Sequence, residues 1–259
     1  MKLVTVATHS ERYFPYLLES CKRVGAKIDV LGWGQPWRGF MMKYDLLGEY
    51  LRGIPDDEIV CVIDAYDVVL LEPLGKLEAI FRKTVARIAV ARDCTPNVPW
   101  AQYIFGKCKG LLINAGTYMG HAGDMRKMVS EICKVNDCKD KKLDDQRILA
   151  SYCNTGDVYV DKARELFFLM CYINRCPEVS DSKIVYNGMR PCILHAPANT
   201  NIDGLLRKLG YDVKDVDHRF WQYWLDMAVR HWYMTAIVVL LLILIVVGLI
   251  VMKKLRKRR

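Results

Sequence analysis

The chain has 259 residues, a mass of 29.9 kDa and a formal net charge of +9. Its 52% hydrophobic content excludes a disordered or low-complexity protein, because that much apolar surface can offset the entropy of ordering the chain. Six of the 38 basic residues lie in 253–259, and without them 32 basic residues stand against 29 acidic ones. A nearly balanced body gives no support to nucleic-acid binding.

Strands and helices are predicted to alternate along the first 150 residues. The predicted strands are 3–7, 28–31, 59–63, 87–91 and 110–115, and the predicted helices are 14–24, 40–51, 77–84, 124–134 and 144–152. Segment 59–63 is a continuous apolar run, which is typical of a strand buried on both faces of a parallel sheet. The alternation, without internal repeats, predicts one α/β domain with a mainly parallel central sheet.

Two carboxylates, Asp64 and Asp67, directly follow the apolar run 59–63. The carboxyl end of such a strand is where α/β folds place their ligands. Both acids can reach one divalent cation, and such a cation can neutralise a nucleotide diphosphate. The alternative is a solvated turn with two ordinary surface acids.

Three further segments carry polar residues in suggestive places, each with a plainer explanation. The segment from Asn114 to Gly120 contains several small residues. Small residues allow the backbone to approach a ligand closely, but a simple strand and turn is the alternative. Asp144 and Asp145 open a helix, where acids also favour the helix dipole. His195 ends a short apolar run and is either a structural histidine or a third, imidazole ligand for a metal.

Ten cysteines occur, with two C-x4-C spacings, Cys133 to Cys138 and Cys171 to Cys176, and no C-x2-C pair. A zinc site therefore has little support. We expect buried, reduced thiols.

The C-terminal segment has the pattern of a membrane span. Residues 232–252 contain no charge and would rise about 31 Å as a helix, close to the thickness of a bilayer's hydrocarbon core. Trp232 and Tyr233 lie at one edge, and the basic cluster lies at the other. We expect a membrane-proximal helix over 212–231, a transmembrane helix over 232–252 and a basic tail over 253–259. A buried core helix is the alternative.

The sidedness of this predicted single-pass membrane protein depends on two conflicting signals. Residues 1–8 predict a first β-strand and are too short and too soon polar for a signal peptide, which favours a domain on the cytosolic side. The basic tail favours the opposite orientation under the positive-inside rule. We expect the domain to face the cytosol.

Taken in order, seven short motifs resemble the glycosyltransferase domain of procollagen lysyl hydroxylases and their viral relatives. The motifs are Thr5-Val6-Ala7-Thr8; Leu31-Gly32-Trp33-Gly34 with Trp37-Arg38-Gly39; Lys43; Asp64-Ala65-Tyr66-Asp67; Asn114-Ala115-Gly116 through Gly120; Asp144-Asp145-Gln146; and Ile193-Leu194-His195. The resemblance implies a GT-A-like nucleotide-sugar-binding domain over residues 1–211.

The resemblance also implies roles for individual residues. A Mn²⁺ ion on the diphosphate of a UDP-sugar would be held by Asp64, Asp67 and His195. The donor would be bound by Thr5, Thr8, Trp37, Lys43, Tyr66 and Asn114, with Trp37 and Tyr66 on the uridine and Lys43 near the phosphates. Asp144 and Asp145 would lie near the sugar and the acceptor as catalytic residues. The implied reaction transfers a hexose to an acceptor hydroxyl on a protein, glycan or lipid.

The chain departs from the family after His195. The family continues with G-N-G-P-T-K, whereas this chain reads Ala196-Pro197-Ala198-Asn199-Thr200-Asn201, which lacks the final lysine. A hydroxylase part is not present in the sequence, so no iron-dependent hydroxylation is expected. Two alternatives to an active transferase remain: a catalytically silent membrane scaffold or binding protein, and a hydrolase that uses water as the acceptor.

Overall fold

A computed structural model describes residues 1–95, 97, 99–170, 177–198, 200–216 and 232–256. Two compact units, Met1–Asp217 and His218–Arg259, make up the chain. The described elements, in chain order, are β1 (Lys2–Val6), α1 (Phe14–Arg23), β2 (Ile28–Leu31), α2 (Met42–Leu51), β3 (Ile59–Asp64), β4 (Val68–Leu70), α3 (Leu74–Lys83), β5 (Ile88–Arg92), α4 (Pro99–Phe105), β6 (Ile113–His121), α5 (Ala122–Val135), α6 (Asp145–Thr155), β7 (Val158–Asp161), β8 (Phe167–Leu169), β9 (Glu178–Ser180), β10 (Lys183–Val185), β11 (Ile193–His195), α7 (Asp203–Lys208) and α8 (Trp232–Arg256).

A six-stranded sheet with the order β2-β1-β3-β6-β5-β7 forms the centre of the first unit. Strand β1 runs parallel to β2 and β3, and β5 runs parallel to β7. Strand β6 is antiparallel to both of its neighbours, β3 and β5. The prediction of an α/β fold with a mainly parallel sheet is therefore confirmed, with one reversed strand inside it.

Both faces of this sheet are covered by helices, which explains the unbroken apolar run in β3. Val60 and Val62 belong to a core with buried residues of α2, α5 and α6. Cys61 and Ile63 belong to a second core with α1 and α3. Because successive strand residues point to opposite faces, a strand covered on both sides must be apolar at every position.

A second, three-stranded sheet with the order β4-β11-β8 carries His195. In the antiparallel pairing of β11 with β4, His195 lies opposite Val68, and in the parallel pairing with β8 it lies opposite Leu169. The backbone N–H of Ala196 also donates to the carbonyl of Asp67 over 2.8 Å. This sheet therefore brings His195 next to the turn that contains both predicted acidic ligands.

Strand β6 differs from its prediction in position. The predicted strand 110–115 ended where Gly116 and Gly120 suggested a turn, but β6 continues to His121. At Gly120 a side chain would place its Cβ 2.8 Å from the Arg87 carbonyl oxygen, so the small residue permits close strand pairing. Elements β4, α4, β7 to β11 and α7 were not predicted, and most of them are short.

The expectation of reduced thiols is wrong for two pairs of cysteines. Cys108 is bonded to Cys153, and Cys133 is bonded to Cys138. The first pair is 45 residues apart in sequence, but the fold brings its Cα atoms within 5.3 Å, a normal separation for a disulfide.

Cys94 is disulfide-bonded as well, which also contradicts the expectation. Three thiols, those of Cys21, Cys61 and Cys192, are buried and free as expected. The second C-x4-C spacing, Cys171 to Cys176, lies outside the described residues.

The C-terminal unit contains helix α8. Within the described part of the chain, no helix is both long and apolar enough to cross a bilayer, so the predicted transmembrane helix over 232–252 is not found there. The predicted membrane-proximal helix falls mainly on 217–231, and the end of the basic tail on 257–259, both outside the described residues.

Asp161 supports the connection that leads to the second sheet. Its buried carboxylate accepts hydrogen bonds from the backbone N–H groups of Leu166 at 2.8 Å, Phe167 at 2.9 Å and Glu165 at 3.3 Å. Asp161→Ala removes all three acceptors, and we expect the free energy of unfolding in urea to fall by about 2–3 kcal/mol. Asp157→Ala, at an exposed position four residues earlier, is the control. A loss at Asp161 below about 0.5 kcal/mol would contradict this assignment.

Candidate active site

A cavity of about 350 Å³ opens at the carboxyl ends of β1 and β3, the edge at which parallel α/β sheets bind ligands. The volume is within the range of small-molecule sites. Its walls come from the β1–α1 loop, from the segment before α2 and from the turn after β3. The lining residues are Val6, Thr8, His9, Glu11, Arg12, Trp37, Phe40, Lys43, Asp64, Ala65, Tyr66 and Asp67.

Asp64, Asp67 and His195 form one cluster beside this cavity. Each offers one ligand atom, and these atoms lie within 4.8 Å of one another. Nε2 of His195 is 3.3 Å from Oδ1 of Asp67 and 3.9 Å from Oδ2 of Asp64. The structure therefore brings together the three predicted metal ligands, one from the end of β3, one from the β3–β4 turn and one from the end of β11.

The ligand atoms in this cluster lack other partners. Oδ1 of Asp67 and both ring nitrogens of His195 are buried without a hydrogen-bond partner. The 3.3 Å separation between Asp67 and His195 permits an ion pair when the ring is protonated, but it does not meet hydrogen-bond geometry. Buried polar groups are normally satisfied, and a divalent cation would satisfy Oδ1 of Asp67 and one ring nitrogen of His195 together. Two carboxylates with one imidazole are a donor set that suits Mn²⁺ and similar ions.

Gly116 leaves the space between these ligands open. A Cβ at this position would lie 2.5 Å from Oδ2 of Asp64 and 2.9 Å from Nε2 of His195. The register between β5 and β6 shifts here, pairing Val90 with Tyr118 but Ala91 with Asn114, so residues 115–117 have no partner on β5. Such an irregularity changes the direction of the strand locally, and here it places a glycine against the cluster.

Lys43 connects the cluster to α6. Its Nζ donates to Oδ1 of Asp64 at 2.5 Å and to Oδ2 of Asp145 at 2.9 Å. Burial disfavours the ammonium, but the charges of Asp145 and Asp64 outweigh it and raise the pKa of Lys43 above its ordinary value. Despite its own burial, the pKa of Asp64 is lowered by Lys43 and His195, whereas burial raises the pKa of the less exposed Asp145. Two carboxylates thus share the ammonium of Lys43, and Asp67 is not paired with it. A divalent cation would compensate the remaining negative charge.

The predicted uridine-binding residues lie at the cavity wall. The hydroxyl of Tyr66 accepts from the backbone N–H of Thr8 at 3.1 Å and donates to the carbonyl of His9 at 3.2 Å, which fixes its ring. Trp37 is 45% exposed and meets Phe40 edge-on, with 5.9 Å between ring centroids. Both aromatic residues line the cavity, where a planar ligand could stack on them.

Two predicted site residues have structural explanations. Thr5 is completely buried, its hydroxyl donates to the carbonyl of Ile63 at 2.8 Å, and it is not among the residues that line the cavity. The polar side chain inside β1 holds β1 to β3. Its role in binding the donor stays a prediction. Asp144 is the N-cap of α6, where it accepts from the backbone N–H of Arg147, and it does not line the cavity. Its catalytic role stays a prediction.

Asn114 forms a network that the sequence analysis did not assemble. Its amide nitrogen donates to Asp93 at 3.3 Å and to Gln146 at 3.1 Å, while its oxygen accepts from the backbone N–H of Gly116 at 2.8 Å. Asn114 therefore helps to position the glycine against the metal cluster. Asp93 directly follows the apolar strand β5, in the same way that Asp64 ends the apolar strand β3. An acid at the end of an apolar strand was therefore the sequence signal that could have identified Asp93.

A larger groove of about 810 Å³ lies elsewhere and includes Asp56, Arg87 and His121. These residues stand before β3, before β5 and at the end of the reversed strand β6. They therefore mark the amino-terminal edge of the parallel strands, opposite the edge used for ligands. Geometry and chemistry both favour the smaller cavity as the functional site.

Gly116→Ala tests whether the space between the ligands is needed for a metal. The added methyl group would displace Asp64 and His195, so we expect Mn²⁺ affinity, measured by isothermal titration calorimetry on the full chain, to fall at least about tenfold. Gly75→Ala adds the same group in open space on α3 and serves as the control. Equal Mn²⁺ affinity in both variants would refute the proposed position of the ion.

Comparison with solved structures agrees with the fold described above. A solved structure of an active-site mutant of the galactosyltransferase LgtC has a TM-score of 0.50, with 16% identity and coverage of 86% of this chain and 100% of that one. This likeness concerns the fold, which is of the GT-A type. Another LgtC structure, in complex with donor and acceptor sugar analogs, gives a TM-score of 0.49 at 16% identity over the same shares of the two chains.

The sequence comparisons identify the family. A Caenorhabditis elegans protein named multifunctional procollagen lysine hydroxylase and glycosyltransferase is 30% identical over 162 residues. The match covers 56% of this chain and only 21% of that relative. The profile of the PLOD GT domain matches residues 1–174, which is most of the chain. The protein therefore belongs to the PLOD glycosyltransferase-domain family.

Proposed function

We propose that this protein is a metal-dependent glycosyltransferase that transfers a hexose from a UDP-sugar to an acceptor hydroxyl. The observation that carries the proposal is the set of buried, unpartnered ligand atoms on Asp67 and His195, beside Asp64 and an aromatic-walled cavity. Family membership and fold support the reaction class. The UDP moiety, the hexose and the choice of Mn²⁺ are parts of the proposal.

The metal would be held by Asp64, Asp67 and His195. When bound there, it supplies positive charge that stabilises a departing diphosphate. The protein itself fixes the ligands before metal binding, since the Asp67 backbone is tied to Ala196 and Asp64 is tied to Lys43. Little reorganisation is then needed to bind the ion.

The ammonium of Lys43 donates hydrogen bonds to both Asp64 and Asp145 and so fixes the positions of the two carboxylates. Its ammonium lines the cavity, where it would also attract the phosphates of the donor as a point charge. Asp145 is linked through Lys43 to the metal cluster, which supports its proposed place near the sugar. The uridine would stack between or upon Trp37 and Tyr66, whose ring is fixed by hydrogen bonds to the β1–α1 loop.

The alternative of a catalytically silent scaffold receives no specific support from the site. Buried polar atoms without partners cost stability, and a scaffold has no use for them. A hydrolase would share the same donor site and would differ only in using water as the acceptor. Analysis of the products, free hexose or a glycosylated acceptor, separates these two reactions.

Asp67→Asn tests metal dependence with minimal disturbance. The backbone contact to Ala196 remains, while one negative ligand becomes neutral. In the full chain we expect Mn²⁺-dependent turnover of UDP-glucose and UDP-galactose, followed as UDP release, to fall at least about a hundredfold. The free energy of unfolding without metal should not fall, because Asp67 lies among other carboxylates.

Asp157→Asn is the matched control, since it removes one exposed negative charge just before β7. Wild-type protein that releases no UDP from either donor in Mn²⁺ would contradict the proposed reaction. Unchanged turnover in Asp67→Asn would contradict the metal assignment alone.

Trp37→Ala tests the aromatic wall. Loss of a stacking face should weaken binding of both UDP and uridine about tenfold, because stacking of a base on an aromatic ring contributes about 1–3 kcal/mol. Trp33→Ala is the control, since Trp33 is also exposed but stacks on Phe14, with 5.4 Å between centroids, and does not line the cavity. Calorimetric affinities that fall equally in the two variants would contradict the assignment of Trp37.

A further inference from the structure

Arg12 is a cavity residue that neither the sequence motifs nor the site described above explain. It lines the cavity together with Asp64, Tyr66 and Asp67. Its Nε and Nη2 atoms are buried and have no hydrogen-bond partner in the described structure. A guanidinium cannot lose its charge under ordinary conditions, so burial without partners is unfavourable unless a ligand supplies them.

The backbone holds Arg12 in an unusual conformation. Its φ of 48° lies in the left-handed region, which is disfavoured for a residue other than glycine. Such conformations persist where the surroundings impose them, and they concentrate at functional sites.

Tyr13, the next residue, supplies that constraint. Its backbone N–H donates to the carbonyl of Tyr66 at 3.3 Å, while its hydroxyl donates to Asp203 at 2.6 Å and accepts from the N–H of Ile202 at 3.0 Å. Arg12 is therefore fixed between the acidic turn after β3 and the segment that follows β11.

The charges around the cavity leave Arg12 free for an anion. Lys43 is already bound to two carboxylates, Asp64 and Asp145. The carboxylate of Glu11 lies 3.3 Å from Nε2 of His9. Among the described residues that line the cavity, Arg12 is thus the permanent cation for which no ion pair is formed.

We infer that Arg12 is a binding residue for the phosphates of the donor, contacting the diphosphate through its guanidinium. This inference rests on the proposed function. A planar guanidinium offers two parallel N–H donors to a phosphate, and in a desolvated wall this contact is stronger than one made in water. Lys43 then organises the protein's own acids, whereas Arg12 neutralises the ligand.

The test compares three probes in isothermal titration calorimetry of the full chain with Mn²⁺: UDP, uridine and inorganic pyrophosphate. Arg12→Gln should weaken UDP and pyrophosphate at least about tenfold and leave uridine unchanged, as expected for loss of a charge-assisted contact. Arg164→Gln is the matched control. Arg164 is also an arginine at positive φ, 60°, but it lies over the Tyr186 ring and outside the cavity lining.

The outcomes separate this inference from the proposed function. The inference about Arg12 would be overturned if Arg12→Gln bound pyrophosphate and UDP with unchanged affinity. It would also be overturned if the affinity for uridine fell as much as the affinity for UDP. If wild type binds pyrophosphate but not UDP, the proposed function fails, and the inference stands only if Arg12→Gln abolishes pyrophosphate binding. If the wild-type protein binds neither UDP nor pyrophosphate, both the inference about Arg12 and the proposed function are overturned.

A second variant covers the case in which Arg12→Gln does not fold. Arg12→Lys keeps the charge but loses the paired donors, so it should bind UDP several-fold more weakly than wild type and uridine equally well. UDP affinity equal to that of wild type would then overturn the bidentate contact that defines the inference.

Discussion

The register between β11 and β4 is the constraint on which the candidate site depends. Asp64 and Asp67 are neighbours in sequence, but His195 follows them by well over a hundred residues. Placing His195 opposite Val68, with Ala196 bonded to the Asp67 backbone, is what converts two acids into a three-ligand cluster. A slip of one residue would turn the imidazole to the opposite face of the sheet. The parallel pairing with β8, itself held by Asp161, supports the same register from the other side.

The electrostatics of the site follow from this convergence. Acids brought together at one sheet edge raise one another's free energy unless cations are interposed. Lys43 is interposed between Asp64 and Asp145, whereas among the described residues no lysine or arginine forms an ion pair with Asp67. The carboxylate without a paired lysine or arginine therefore belongs to the cluster in which Gly116 leaves space between the ligands. Charge and shape therefore indicate the same position for a metal ion.

Much of this could be predicted from the sequence, because the strongest signals are local. The apolar run 59–63 followed by Asp64 and Asp67 fixes both a buried strand and an acidic edge. His195 was a candidate ligand from its place at the end of an apolar run, and Lys43 came from the family resemblance; the structure places both at the cluster. The bond of Thr5 to Ile63 could not be predicted, because a polar residue in a strand gives no sign of which way it faces.

Features that depend on distant contacts could not be predicted. The glycines of β6 suggested a turn after residue 115, so the full length of this antiparallel strand was not predicted. The hydrogen bond between Asn114 and Asp93 depends on the shifted register between β6 and β5. Pairing of Cys108 with Cys153 likewise depends on the tertiary fold. Disulfides persist mainly in oxidising compartments, so these bonds weigh against the predicted cytosol-facing domain, which stays a prediction.

The two cations of the cavity illustrate why composition alone does not identify a ligand-binding residue. Lys43 and Arg12 both line the same space, yet one is enclosed by acids and the other has buried donors without acceptors. A cation compensated by the protein fixes geometry, because moving it would leave two buried carboxylates unpaired. A cation that the protein leaves uncompensated gains most from an incoming anion, since its desolvation cost is already present in the folded state. The difference lies in the partners of each side chain, and the anion that completes the site is expected on the Arg12 side.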